Sequence, residues 1–373
     1  MLTTPRPQSD VIVPPLSAIK GRGSLSNERS RFDAWRREPV YDDLGPENGA
    51  PEEPGRPKTT VWIQQARSII STNQSPDIPF EASINPYQGC EHGCIYCFAR
   101  PTHAYLGLSP GLDFETRLFA KKNAAALLEA ELANKNYVPK VIGLGANTDP
   151  YQPIEREYRI TRAILEVLER HQHPVSITTK SGVVVRDIDI LERMARKNLV
   201  RVAVSISSLK TEITRTLEPR TSSPARRLSA VRQLAEAGIP VGVLVAPVIP
   251  TITDVEIEDV IAAAAEAGAS YCSYTLLRLP REIKGLFGEW LEAHFPLRAK
   301  HIESLLMQMR GGKVYDAAFG KRMRGEGIFA ELLSKRVKLA CRKHGISNER
   351  AVLRTDLFVR PSKAKASPQM ALF

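Results

Sequence analysis

Three cysteines, Cys90, Cys94 and Cys97, fall within residues 89–100 at a C-x₃-C-x₂-C spacing, with Tyr96 just before the last. Iron–sulfur clusters are held by cysteine thiolates, and a cubane cluster has four irons to ligate. Three close thiolates supply three corners and leave one iron open, where a substrate or cofactor could chelate through nitrogen and oxygen. Structural zinc asks instead for four ligands, usually in two pairs. Only His92 and His103 are near enough in sequence to complete such a set. A disulfide knot does not suit five cysteines in 373 residues. The spacing favours an open-cornered cluster, and zinc stays as the rival.

The elements that must position this loop follow it. From Ala82 onward, short apolar runs at 82–87, 140–144, 175–179, 200–206, 241–246 and 271–276 alternate with amphipathic stretches at 120–134, 157–170, 185–196, 223–237 and 254–266. Such alternation predicts a parallel sheet flanked by helices, and six strands predict a partial (β/α)6 TIM-like barrel in the α/β class. The expected organisation is an irregular Pro-rich arm at 1–79, the barrel at 80–280, a basic helical extension at 281–360 and a flexible tail at 361–373. The arm carries Pro14-Pro15 and Gly21-Arg22-Gly23 as turn chemistry, and wraps the domain through Phe32, Trp35 and Trp62.

In such sheets ligands sit beyond the C-terminal strand ends. The cysteine loop directly follows the first strand, which places it at that mouth. After the second strand, Asn147, Thr148 and Asp149 offer polar atoms in a Gly-containing turn. The third strand ends at Thr179-Lys180 and the fourth carries Ser205; a hydroxyl and an ammonium there suit ribose and carboxylate recognition. Arg278, after the sixth strand, is placed to bind an anionic substrate. Cys272, on that strand, reads as a small buried residue and also as the one candidate thiol for a radical role.

The cysteine spacing resembles the signature of the radical SAM enzymes. In that family the open iron of a [4Fe–4S] cluster binds S-adenosylmethionine (AdoMet), and one electron from a reductant such as flavodoxin or ferredoxin cleaves it to a 5′-deoxyadenosyl radical. Within the family, residues 90–98, Thr179-Lys180, Ser205, the run Glu218-Pro219-Arg220-Thr221-Ser222-Ser223 and Ala246-Pro247 look like spore photoproduct lyase and its DNA-repair photolyase-like relatives. The resemblance spans roughly residues 83–279. It implies that Cys90, Cys94 and Cys97 ligate the cluster, that Asn147, Thr148, Asp149, Lys180 and Ser205 hold AdoMet, and that Ala246 lies beside its adenosyl group. One departure matters. Where spore photoproduct lyase carries a hydrogen-donating cysteine after the second strand, this chain has Gly145, Ala146 and Asn147.

Charge points toward the partner. Of the formal net charge of +11, residues 280–373 hold 19 Lys and Arg against 9 Asp and Glu, so that quarter suits nucleic acid or another polyanion. The terminal Gln369, Met370, Leu372 and Phe373 resemble the short peptide that docks proteins onto the DNA sliding clamp. No run approaches ~18 uncharged apolar residues, and the opening residues lack a signal-peptide core, so a cytoplasmic protein without membrane contact is expected. These readings converge on a radical SAM enzyme acting on nucleic acid. The alternatives are a peptide- or metabolite-modifying radical SAM enzyme and a zinc-stabilised nucleic-acid-binding protein.

Overall fold

The computed structural model describes residues 18–32 and 57–362. Its strands are β1 (Thr60–Ile63), β2 (Ile70–Thr72), β3 (Ala82–Ile84), β4 (Tyr87–Gln88), β5 (Arg117–Ala120), β6 (Ile142–Leu144), β7 (Val175–Thr179), β8 (Val200–Ser205), β9 (Val241–Val248) and β10 (Tyr271–Leu276). In the main sheet β3, β6, β7, β8, β9 and β10 lie side by side in chain order, each parallel to the next. Among the described residues no ladder joins β10 back to β3, and β2 caps the β3 edge as an antiparallel strand. The result is an open arc, the partial barrel that strand–helix alternation predicts.

Burial explains the alternation within these segments. Val175, Ile177, Val202, Val204, Val243 and Val245 recur at every second position and are fully buried, while Ser176, Thr178 and Leu244 beside them are half-buried. The outer layer includes helices Ile160–Arg170, Ile188–Ala195, Pro224–Glu236 and Ile257–Glu266. On the first of these Ile160, Ile164, Leu165 and Leu168 recur at helical spacing and are buried. Ser223 caps the third by accepting from Arg226 N, with Pro224 at its first turn.

The stretch read as an irregular arm contains β1 and β2. Each is only three or four residues long, and each is set by a partner far along the chain: β1 pairs with β5, and β2 with β3. Strands this short carry too little local pattern to stand out from a polar arm. β1, β5 and β4 form a second small sheet, in which Trp62 stacks on Phe119 at 5.4 Å. Phe32 is exposed and meets Tyr105 at 5.4 Å. Trp35 and residues 369–373 lie outside the described residues, as does the clamp-like peptide.

One apolar core runs from Ile69 to Ile346, so the C-terminal helices Ile283–His294, Ala299–Gln308 and Ile328–Lys343 build onto the barrel. Much of the positive charge of this region already has partners. Lys321 pairs with Glu326 at 2.6 Å, Arg322 with Asp77 at 2.6 Å and Arg336 with Glu258 at 2.6 Å, while Arg324 lies 3.9 Å from the centre of the Tyr274 ring. No described helix is long and apolar enough to cross a membrane.

Gly242 marks how closely β9 and β10 pack. A Cβ there would come within 2.4 Å of the Tyr271 ring, whose hydroxyl is anchored to Val202 O at 2.7 Å. Gly242→Ala is expected to destabilise the fold by about 1–3 kcal/mol through overpacking. Thermal melting reads this directly, and Tyr271→Leu in the same background should recover part of the loss.

Candidate active site

The cysteine loop is held from several sides. Two glycines give it its path: Gly89 (φ 73°) and Gly93 (φ 67°) adopt left-handed backbone, and a Cβ at Gly93 would meet a Glu115 carboxylate oxygen at 2.7 Å. Cys90 N donates to Phe114 O at 2.9 Å, Cys97 N to Cys94 O at 3.2 Å, and Ile95 N to Leu217 O at 3.1 Å. Arg100, fully buried, turns back under the loop. Its guanidinium donates to Cys94 O (2.9 Å), Gly93 O (3.1 Å), Pro110 O (3.1 Å) and Gly111 O (2.9 Å), and pairs with Glu115 at 2.5 Å. Cys90 and Cys94 are buried and Cys97 is half-buried; all three are free thiols.

A second buried ion pair grips the other side. The Tyr96 hydroxyl donates to Glu218, which also accepts from Ser207 Oγ at 3.1 Å and pairs with Arg227. Burial alone would raise the Glu218 pKa, but the Arg227 and Lys180 charges outweigh it and hold the carboxyl below its ordinary value. Lys180 is half-buried, its ammonium 5.8 Å from the centre of the Tyr96 ring. Burial would lower its pKa, yet Cys94, Glu218 and Asp149 raise it, so it stays charged. Among the described residues it makes no ion pair within 4.0 Å.

These thiols suit a multiply charged metal group. Burial, above all, pushes the Cys90 thiol up, helped by Asp149 and the other two thiols; it does the same at Cys94 and Cys97. Bare thiolates are therefore disfavoured, and a cationic centre between them removes that penalty. Among the described residues no three Cys, His, Asp or Glu side chains converge closely enough to grip one ion. A cubane needs no such convergence, since it takes each thiolate at a separate corner.

Comparison with known proteins agrees with this geometry. The Radical SAM superfamily profile matches residues 84–264. An uncharacterized protein of Mycobacterium tuberculosis is 38% identical over 229 residues, which span 61% of this chain and 67% of that one. The chain belongs to the radical SAM superfamily. It is an enzyme of a family that uses a [4Fe–4S] cluster and AdoMet. An uncharacterized protein of Methanocaldococcus jannaschii is 28% identical, covering 52% of this chain and 69% of its own. Spore photoproduct lyase complexed with dinucleoside spore photoproduct superposes with a TM-score of 0.53 at 18% identity, over 76% of this chain and 79% of that one. A mutant of the same lyase with bound AdoMet and dinucleoside spore photoproduct gives 0.53 at 19%. The fold is shared.

The residues expected to surround AdoMet fall into two groups in this radical SAM enzyme. Lys180 and Ala246 stand at strand ends and are partly open. Asp149, Thr148 and Ser205 turn inward. Asp149 accepts from Thr179 Oγ1 (2.7 Å), Lys180 N (2.7 Å) and Tyr151 N (2.9 Å), and lies 3.4 Å from His92 Nδ1. Burial would raise its pKa; His92 and these donors hold it at about 2. It therefore positions the Lys180 backbone and the His92 side of the loop. Thr148 Oγ1 donates to Tyr87 O at 3.1 Å and Ser205 Oγ to Ala246 O at 3.1 Å, while Asn147 contributes its backbone N–H to Asn85 at 3.1 Å.

Arg278 reaches the loop, with its guanidinium 5.1 Å from the centre of the Phe98 ring. Among the described residues its buried Nε has no hydrogen-bond partner, and its NH1 donates to Met323 Sδ at 3.6 Å. Cys272 goes elsewhere. It is the second residue of β10, far from that strand's C-terminal end, and its thiol neighbour is Cys341 on helix Ile328–Lys343. Along β10, Cys272, Tyr274 and Leu276 share the buried face, alternating with half-buried Ser273 and Thr275. The radical role envisaged for Cys272 finds no support in this placement.

Several positioning residues escape sequence reasoning. Arg100 and Glu115 are ordinary charges in the sequence. Arg22 and Gly23, read as turn chemistry, and the following Ser24 are buried against the loop: Gly23 N and Ser24 N donate to Glu115 at 3.0 and 2.8 Å, and Arg22 to Glu115 O at 3.0 Å. Glu218 opens a run whose distinctiveness was visible, although its bond to Tyr96 was not. Arg100→Met would leave the Glu115 charge buried and uncompensated, at a cost of about 3–5 kcal/mol. Denaturant unfolding should show that loss, and adding Glu115→Gln should restore part of it.

Proposed function

We propose that this radical SAM enzyme acts on a nucleic-acid substrate, with Cys90, Cys94 and Cys97 as the cluster ligands. The observation that carries the AdoMet chemistry is the charged Lys180 ammonium, which faces the thiol loop with no ion-pair partner among the described residues. Held by Cys90, Cys94 and Cys97, a [4Fe–4S] cluster would supply the electron for reductive cleavage of AdoMet and so the radical chemistry of the family. The chain's own part is binding and orientation. Lys180 pairs with the AdoMet carboxylate, Asp149 holds the Lys180 backbone in place, and Ser205 fixes the Ala246 carbonyl beside the adenosyl group. The mouth of the arc gathers the substrate. There Arg278 lies over Phe98 with a buried donor unmet, an arrangement that a phosphate would complete by a charge-assisted hydrogen bond.

Spore photoproduct lyase, whose fold the chain shares, is complexed with a dinucleoside spore photoproduct. That supports a nucleic-acid substrate here. The reaction differs in its last step, because residues 145–147 after β6 offer no thiol to return a hydrogen atom. A cytoplasmic setting and a flavodoxin- or ferredoxin-type electron donor accompany the proposal. The Gln369-to-Phe373 segment, as a clamp-docking peptide, would raise the local concentration of the enzyme on DNA.

Anaerobic reconstitution should give about four irons per chain, and AdoMet should perturb the EPR spectrum of the reduced protein. Single Cys→Ala changes at 90, 94 or 97 should abolish 5′-deoxyadenosine formation; cleavage that survives the triple change would overturn the assignment. Lys180→Ala should weaken AdoMet binding roughly 10- to 100-fold, as expected for a charge-assisted contact, with iron content unchanged. A nucleic acid that accelerates AdoMet cleavage identifies the substrate class.

A further inference from the structure

A cavity of about 280 Å³ opens on the His92 side of the cysteine loop, away from Phe98 and Arg278. Its wall includes Arg156, Arg220 and Arg226 together with the hydroxyls of Thr221, Ser222 and Ser223, and none of its lining residues is an Asp or Glu. Three guanidinium groups around one small cavity repel each other unless an anion joins them. Arg220 has a partial answer in Glu91 at 2.8 Å. Arg156 and Arg226 are exposed, and among the described residues neither has a carboxylate within 4.0 Å.

Of these hydroxyls, Thr221 Oγ1 already donates to Glu218 O at 2.8 Å, whereas Ser222 adds a donor. Ser222 Oγ accepts from Gly182 N at 2.8 Å, which leaves its own proton free. The cavity is tied to the thiol loop, since Arg220 N donates to His92 O at 3.2 Å. His92 in turn stands beside Asp149, which holds Lys180 N. A ligand in this cavity is thus registered to the thiols through a short chain of contacts.

We propose that this arginine-lined cavity is a phosphate-binding site that grips the substrate beside the thiol loop. The inference rests on the nucleic-acid reading for one of its two sources, a backbone phosphodiester; the other source is a phosphate ester on a small substrate. Arginine suits both, because its planar fork meets two phosphate oxygens at once. With Arg278 on the Phe98 half of the loop, the enzyme then holds substrate anions on both sides of the thiols.

The test uses the full-length, anaerobically reconstituted protein and the double change Arg156→Glu with Arg226→Glu. The control is Lys135→Glu with Lys197→Glu, an equal charge change at exposed sites on the loops that lead into β6 and β8. One arm follows a labelled single-stranded oligonucleotide by anisotropy between 50 and 200 mM salt. Losing two phosphate contacts should flatten the slope of log K against log salt by about 1.4, in the cavity variant and not in the control. The other arm titrates inorganic phosphate, which should bind the wild type and the control and fail to bind the cavity variant. Loss of phosphate binding with an unchanged oligonucleotide slope supports the cavity with a small phosphate ester as its ligand, and removes the nucleic-acid reading from this site. Equal phosphate binding and equal slopes in wild type and cavity variant overturn the proposal, whatever affinity the protein shows for nucleic acid.

Discussion

The guanidinium of Arg100 is the contact on which the thiol arrangement depends. It bonds the carbonyls of Gly93 and Cys94 from below, and the same group reaches Pro110, Gly111 and Glu115. A buried ion pair of this kind is weak evidence for stability, because removing two charges from water costs several kcal/mol each. Its value lies in geometry. All the donors of one rigid planar group are engaged at once, so the backbone between Cys90 and Cys97 has little freedom to rearrange. The Glu218–Arg227 pair does the same for Tyr96 from the barrel side. Between these two pairs, three thiols that burial keeps protonated are held ready for a metal centre.

Much of this architecture is legible in the sequence, and the limits have physical causes. The 175–179 and 271–276 runs coincide with β7 and β10, whose apolar residues recur at alternate positions and are buried. The cysteine spacing is legible because its ligands are local. What escaped depends on partners distant in the chain: β1 and β2 need β5 and β3, and Arg22 and Ser24 need Glu115. Asp149 and Ser205 were assigned to the right strand ends, but a strand end does not say which way a side chain turns. Both turn inward and hold backbone.

Charge shows a similar gap between composition and placement. The C-terminal quarter carries most of the net positive charge, and its densest run, around Lys321 and Arg322, is largely neutralised by Glu326 and Asp77. Beside the thiol loop, in a part of the chain close to neutral overall, Arg156 and Arg226 have no carboxylate within 4.0 Å among the described residues. A net charge describes long-range attraction to polyanions. The local balance around a cavity decides where an anion comes to rest.

The close approach of Gly23 to the loop has a consequence for how the protein matures. A Cβ on Gly23 would meet Gly93 O at 1.9 Å, so the chain near residue 23 lies flat on the stretch between Cys90 and Cys94 like a shutter. That side of the loop is sealed once residues 22–24 are in place. The open flank is the opposite one, where Cys97 is half-buried and Phe98 is exposed. Among the described residues, cluster delivery and electron entry from this flank meet the most exposed of the three thiols.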